Sequence, residues 1–456
     1  MSRKIKLSLA VMVFGTFFGL LCSTLMNTAL PTLMRVYHID ITQVQWVTNS
    51  YMLVNALMIP FSAYLIKRYP FRPLFLLAAT IFLGGTVLGI FAPSYAALLL
   101  ARIIQALGTG MMMPLVNVLA MTYAPRERQG ELMGLIGLAF NFSPIIGPTL
   151  SGAILNHFSW RYLFILVVPF ALLTVLLSWL FLPTITKRSA VHLNYTGLVT
   201  ISFSLLLLLW GFSNISNFAQ HPRLILGAVC LGILLCWAFV RTQTETDHPL
   251  ISMGIFHYRA FNQATLLNVL IITTMYGNTI LLPLLIQNIM HQSPLVSGMA
   301  LLPGACLTGV LSPISGRLFD KFSMKKLVTI GLIIDCLGTV MQAFFDANGS
   351  VWMVTGGQTV RQLGLVLMLI PIQTQALAAL PQHQIPDGVA TFNTLRQVAA
   401  ALGTAVITAV VTISDRFLER YTGSALIGIQ VGFILCLVLL LICLVIVRRG
   451  HLGELE

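Results

Sequence analysis

Long runs of apolar residues, broken by short polar stretches, fill the chain from end to end. At about 20 apolar residues per bilayer crossing, fourteen runs are long enough to span one: 7–29, 44–66, 73–91, 96–120, 132–154, 161–182, 195–212, 224–240, 262–286, 296–318, 327–345, 352–377, 391–413 and 425–447. Helices are the expected form, because hydrocarbon offers unpaired backbone groups no partner. The opening run, Leu7 to Met34, holds 28 uncharged residues behind Arg3, Lys4 and Lys6. That length predicts a spanning helix rather than a cleaved leader.

Composition agrees with the pattern. Of 456 residues 57% are hydrophobic and 9% charged, against the ~25% charged that soluble domains carry. The 26 Lys and Arg outnumber the 13 Asp and Glu. An even number of crossings puts both termini on one side, and 18 of the basic residues then fall on that side. Arg35, Arg161, Arg223, Arg416 and Arg420 fall opposite, leaving Arg102, Arg361 and Arg396 in or beside helices. The positive-inside rule makes the terminal side cytoplasmic, so the basic excess serves topology in a cell membrane rather than nucleic-acid binding. Seven cysteines lie in apolar runs with no C-x-x-C pair and no clustered His. They are expected to be small core residues, with no metal or cofactor.

An internal repeat divides the chain. Ser62 to Leu74 aligns without gaps on Ser315 to Leu327, and Arg102 of the fourth run echoes Arg361 of the twelfth, each pair eight runs apart. Two six-helix bundles, 1–183 and 261–456, with two inserted helices in 184–260, give that spacing, and related halves are a common transporter plan. No G-x-x-x-x-G-K-[ST] loop is present, so transport energy is expected from an ion gradient.

The first helix ends Leu21-Cys22-Ser23-Thr24-Leu25-Met26-Asn27-Thr28-Ala29-Leu30-Pro31. This segment resembles the L-D-x-T-I-V-N-V-A-L-P signature of the fourteen-helix drug:proton antiporters of the major facilitator superfamily. Further resemblances follow in order: Arg102 to Gly110, Gly147-Pro148, Trp160-Arg161, Gly316 to Lys326, and Asn393 to Gln397. The resemblance implies an all-α membrane protein of major facilitator fold that exports small lipophilic compounds by proton antiport and alternating access, as a monomer.

Each motif also has a physical reading. Pro144, Pro148 and Gly152 recur every four residues, and with Gly147 they give one helix face missing amide donors, open to close approach and able to bend; the resemblance implies a gating role for it, and a kink that serves packing alone is the alternative. Arg102, with Gln105 at i+3, must face the interior, because a charge at membrane depth is costly unless paired or hydrated. The resemblance implies proton coupling for this arginine; bonding to backbone carbonyls is the structural alternative. In the second loop of the repeat, Gly316, Asp320 and Lys321 fit the family's gate pattern, where a carboxylate caps a helix end. In the first loop Arg68 is kept, but Lys67 stands where the acid belongs and Pro70 where glycine does. A charge-based gate is therefore expected to lean on Asp320; positive-inside anchoring is the alternative.

Cys22 occupies the position of the family's first-helix aspartate and cannot act as a carboxylate. Among the 13 acids Asp335 alone lies in mid-membrane, about nine residues or ~13 Å into its run. It is a candidate for proton coupling with Arg102 and Arg361, or for a structural pair with Arg361. Cys22, Met26, Asn27, Asn55, Gln105, Met112, Asn141, Phe142, Tyr276 and Asn278 are candidates to line a substrate cavity, since Met and aromatic surfaces adapt to different ligands. Each also fits helix packing. With no acid in the first six runs, neutral, zwitterionic or weakly basic substrates are expected over dications. A facilitator or lipid translocase of the same fold is the chief alternative. The H-x-x-x-D-G spacing of His383, Asp387 and Gly388 would suit an acyltransferase but arises readily by chance.

Overall fold

A computed structural model of the chain describes residues 3–26, 28–39, 41–182, 194–214, 218, 220–246, 249–292, 294–345, 349–422 and 426–449. Asn27 lies outside these, and so do the side chains of Asn141, Pro144 and Pro148, for which only the backbone is described. Fifteen α-helices and no strand occur among the described residues: α1 (Arg3–Leu25), α2 (Leu30–Tyr37), α3 (Ile41–Arg68), α4 (Phe71–Ile90), α5 (Tyr95–Tyr123), α6 (Gln129–Leu155), α7 (Tyr162–Phe181), α8 (Tyr195–Ser213), α9 (Pro222–Glu245), α10 (Arg259–Leu284), α11 (Pro294–Lys321), α12 (Met324–Ala343), α13 (Val351–Ala378), α14 (Ile385–Thr422) and α15 (Leu426–Arg449).

All fourteen predicted runs become long helices. Thirteen of them are long and apolar enough to cross a membrane among the described residues. The fourteenth, α6, has 27 residues with Glu131 as its one charge. The short α2 is the addition. It opens at Pro31, where a fixed φ and a missing N–H suit a helix start, and stops at His38, whose left-handed backbone (φ 52°) caps it. The first predicted run therefore ends at a break after Leu25 rather than continuing to Met34.

Helix α1 packs on α5, α6 and α7, α4 on α5 and α7, and α3 on α5; α10 packs on α13, α14 and α15, α12 on α13 and α15, and α11 on α13. These two groups meet where α6 lies along α11 and α14 lies along α3 and α5. The inserted α8 and α9 pair with each other, Gly232 fitting against Leu208 and the Ser204 hydroxyl donating to the Gly232 carbonyl at 2.8 Å. The outer face of α9 presents Leu224, Leu231, Leu234 and Trp237, as a lipid-facing helix should.

Glycines set the closest approaches. A Cβ at Gly108 would stand 2.6 Å from the Ala78 carbonyl oxygen, so α4 and α5 pack backbone against side-chain-free backbone. The same holds for α12 and α13, where a Cβ at Gly338 would meet the Gly357 oxygen at 2.6 Å. With no apolar driving force between helices in lipid, such close van der Waals contact is what joins them. Gly108→Leu should therefore destabilise the protein by about 1–3 kcal/mol, read as a lower melting temperature in detergent. Gly84→Leu, on α4 at a position where a Cβ meets nothing within 4 Å, should leave it unchanged. Equal melting of the two variants would contradict the packing account.

Candidate functional site

Three charged assemblies stand out, two inside the bundle and one at the face that carries both termini. The first surrounds Arg102, wholly buried on α5. Its Nε donates to the Val47 carbonyl at 3.1 Å, and its Nη1 donates to the Cys22 carbonyl at 3.2 Å and to Gln105 Oε1 at 3.0 Å. Gln105 in turn donates through Nε2 to Thr86 Oγ1 at 2.9 Å and contacts Cys22 Sγ at 3.3 Å. The guanidinium lies 4.1 Å over the ring of Tyr51, whose hydroxyl donates to the Gly19 carbonyl at 2.8 Å. One cation thus ties α1, α3, α4 and α5 together through carbonyl, amide and ring partners. Charge-assisted bonds and a cation–π contact offset the cost of its burial.

The second assembly joins α12 to α13. Asp335 Oδ1 accepts from Arg361 Nε at 2.8 Å, with the side chains 0% and 1% exposed. Thr339 Oγ1 lies 3.4 Å from the same oxygen. The contact is single: Asp335 Oδ2 and both terminal nitrogens of Arg361 have no hydrogen-bond partner among the described residues. Around it, a Cβ at Gly364 would stand 2.6 Å from the Asp335 amide nitrogen. Nearby, Gln358 Oε1 accepts from Asn278 Nδ2 at 2.7 Å and from Gln342 Nε2 at 3.2 Å, extending the polar chain to α10.

The third assembly closes the terminal face with two ties. Asp320, near the end of α11, accepts from the backbone amides of Gly130 at 2.9 Å and Glu131 at 2.8 Å, capping the start of α6. Unpaired amides and the helix dipole both favour an anion there. Arg317 reinforces it with an ion pair to Glu131 at 3.0 Å. Across the face, Lys67 at the end of α3 pairs with Asp387 in the first turn of α14 at 2.6 Å. Lys67 aligns with Asp320 in the loop repeat, and Pro125–Glu131 aligns with Pro381–Asp387, so Asp387 stands where Glu131 stands in the other half. The two ties are equivalent in place and opposite in sign.

The sequence profile of the Major Facilitator Superfamily matches residues 12–404. The chain belongs to that superfamily. This transporter is similar to the uncharacterised MFS-type transporter YcnB of Bacillus subtilis (strain 168), 35% identical over 435 residues, 95% of this chain and 92% of the relative. It is similar also to the multidrug export protein EmrB of Haemophilus influenzae, 31% identical over 403 residues, 86% and 78% of the two chains. The crystal structure of the human organic anion transporter MFSD10 (TETRAN) superposes with a TM-score of 0.72, covering 98% of this chain and 100% of that one at 16% identity, which establishes the fold. The protein is a multi-pass membrane transporter of major facilitator fold and not an enzyme; Asp387, the acid of the His383 spacing, is engaged by Lys67.

In this transporter the structure brings Asp335 and Arg361 together and places Arg102 in a separate node on other helices. Cys22 and Gln105 belong to the Arg102 node, Met26 and Met112 are fully buried in the packing of α1 with α5, and Asn278 is held by Gln358. Asn55 is buried beside Gly110, Phe142 packs over Gly309 of α11, and Tyr276 is half-buried. Gly147 rests on Thr24 of α1, while Gly152 faces open space. Arg68 and Lys321 are exposed. Sequence reasoning missed the Lys67–Asp387 tie, although aligning the loops before α6 and α14 would have found it. Removing the acid from the buried pair strands a guanidinium, so Asp335→Ala should cost about 3–5 kcal/mol, and adding Arg361→Gln should recover part of it. Thermal melts in detergent measure both; a single variant as stable as the native protein would contradict the structural tie.

Proposed function

We propose that this transporter exports small lipophilic molecules across the cell membrane in exchange for protons, working as a monomer with its terminal face toward the cytoplasm. The observation that carries the reading is the doubled tie at that face. Each tie joins the loop end of one half to the start of the corresponding helix of the other, so both must part for a molecule to enter from that side. Both also end on carboxylates. A proton on Asp320 removes the charge held by the first amides of α6, and a proton on Asp387 removes the counter-charge of Lys67. Proton uptake thus favours opening of the terminal face.

The Asp335–Arg361 pair fits a fixed role better, since its glycine-lined seam leaves the carboxyl enclosed between α12 and α13. The export direction is supported by the likeness to a protein named for multidrug export, and the orientation by the basic surplus of the terminal face. Neutral, zwitterionic or weakly basic molecules are the favoured cargo, because α1 and α3–α7 carry Glu131 as their one acid, and Arg317 holds it.

Cells expressing the protein should pump out a neutral or weakly basic dye, lose that efflux with a protonophore, and keep it when ATP synthase is blocked. Lys67→Asp places two acids together and should slow efflux several-fold, and Lys67→Asp with Asp387→Lys should restore it. Efflux indifferent to the protonophore would favour a facilitator. Restoration failing in a well-expressed double variant would remove the tie from the mechanism.

A further inference from the structure

Helices α1 and α6 touch at one end and part at the other. At the end away from the terminal face, Gly147 seats on Thr24, and the Thr28 hydroxyl bonds that of Ser151. Toward the terminal face the two helices diverge and leave a groove of about 780 Å³, within the range of small-molecule sites. Its walls are apolar, with Val13 and Phe17 on α1 and Leu132 and Leu135 on α6. Its mouth carries Lys6 and Arg128, both exposed. Glu131 also reaches the mouth, but its charge is answered by Arg317.

The groove opens sideways. The other faces of α1 are covered, Gly15 by Thr174 and Met112 and Gly19 by Thr109, whereas Leu7 and Leu135 beside the groove are exposed as lipid-facing residues are. Its inner wall includes the buried Leu9 and Ile136. From Lys6 to Phe17 it runs ~16 Å at 1.5 Å per residue, which is the depth of one leaflet in a hydrocarbon core of about 30 Å. A molecule lodged there has its apolar part at acyl-chain depth and its polar end against two cations.

We infer that the α1–α6 groove is a binding site for an anionic phospholipid of the leaflet at the terminal face, with an acyl chain between the helices and the headgroup phosphate against Lys6 and Arg128. Basic residues at the membrane surface attract anionic lipids, each contributing a modest share. The apolar walls add a chain-binding surface that a basic loop alone lacks. A chain wedged here also backs α6 from the side opposite α11, where Asp320 holds it.

The test places a tryptophan in the groove wall, Leu135→Trp, in protein reconstituted into phosphatidylcholine vesicles containing a minor fraction of phosphatidylglycerol, with one or the other lipid brominated on its acyl chains. Leu77→Trp on α4 lies at similar depth on an exposed face near Arg72 and reports the ordinary lipid boundary. At equal mole fraction, brominated phosphatidylglycerol should quench the Leu135→Trp increment several-fold more than brominated phosphatidylcholine, and should show no such excess at Leu77→Trp. The excess should vanish with Lys6→Gln and Arg128→Gln together, and also with Ala10→Phe, which fills the groove from its exposed α1 wall without burying a new group. Equal quenching by the two lipids at Leu135→Trp would overturn the site. So would an equal excess at Leu77→Trp, which would reduce it to general enrichment of anionic lipid, or an excess that survives the charge removal.

Discussion

A charge withdrawn from water needs a partner, and in this chain the partners decide which helices stay together. The Asp320 carboxylate holds the first amides of α6, and the Lys67 ammonium holds Asp387 on α14. These contacts cross between the two helix groups, whereas the Arg102 node and the Asp335–Arg361 pair each stay within one. The inner assemblies tie helices together within each group. The outer ties set how the groups meet at the terminal face, with Asp387 buried and Asp320 and Lys67 half-buried.

Close backbone approach supplies the other half of the closure. Around Gly130, Gly134 and Gly316 the backbones of α6 and α11 touch, a Cβ at Gly134 lying 2.6 Å from the Ser312 oxygen. Contact of this kind is strong when the surfaces are seated and forfeits about a quarter to a half of its attraction within an ångström of separation. A latch of short ion pairs over a glycine seam therefore has two discrete states rather than a continuum of half-open ones. That is the property alternating access requires.

The fold was legible because hydrocarbon imposes length and apolarity on every crossing, and all fourteen runs from 7–29 to 425–447 reappear as helices. What stayed hidden was set by backbone or by distant pairing. Arg102 finds the carbonyls of Cys22 and Val47, partners that have no side-chain signature. Asp387 lies 320 residues from Lys67, and its pairing reverses the sign expected from the loop motif, so a reading of one loop at a time sees only a missing acid. The proposed cavity residues show the same limit: methionine and asparagine on a helix serve packing as readily as ligand contact, and Met26, Met112 and Asn278 are packed.

The central claim is that protonation of the terminal-face carboxylates lets the two helix groups part. It is tested most directly by the distance between spin labels at Arg68, the last residue of α3, and Gln382, before α14, both exposed beside the Lys67–Asp387 tie. In lipid, a single short distance is expected at high pH, with a longer population growing as pH falls, and Asp320→Asn with Asp387→Asn should show that longer population at high pH. One unchanged distance distribution across the pH range, in native protein and variant alike, would contradict the account.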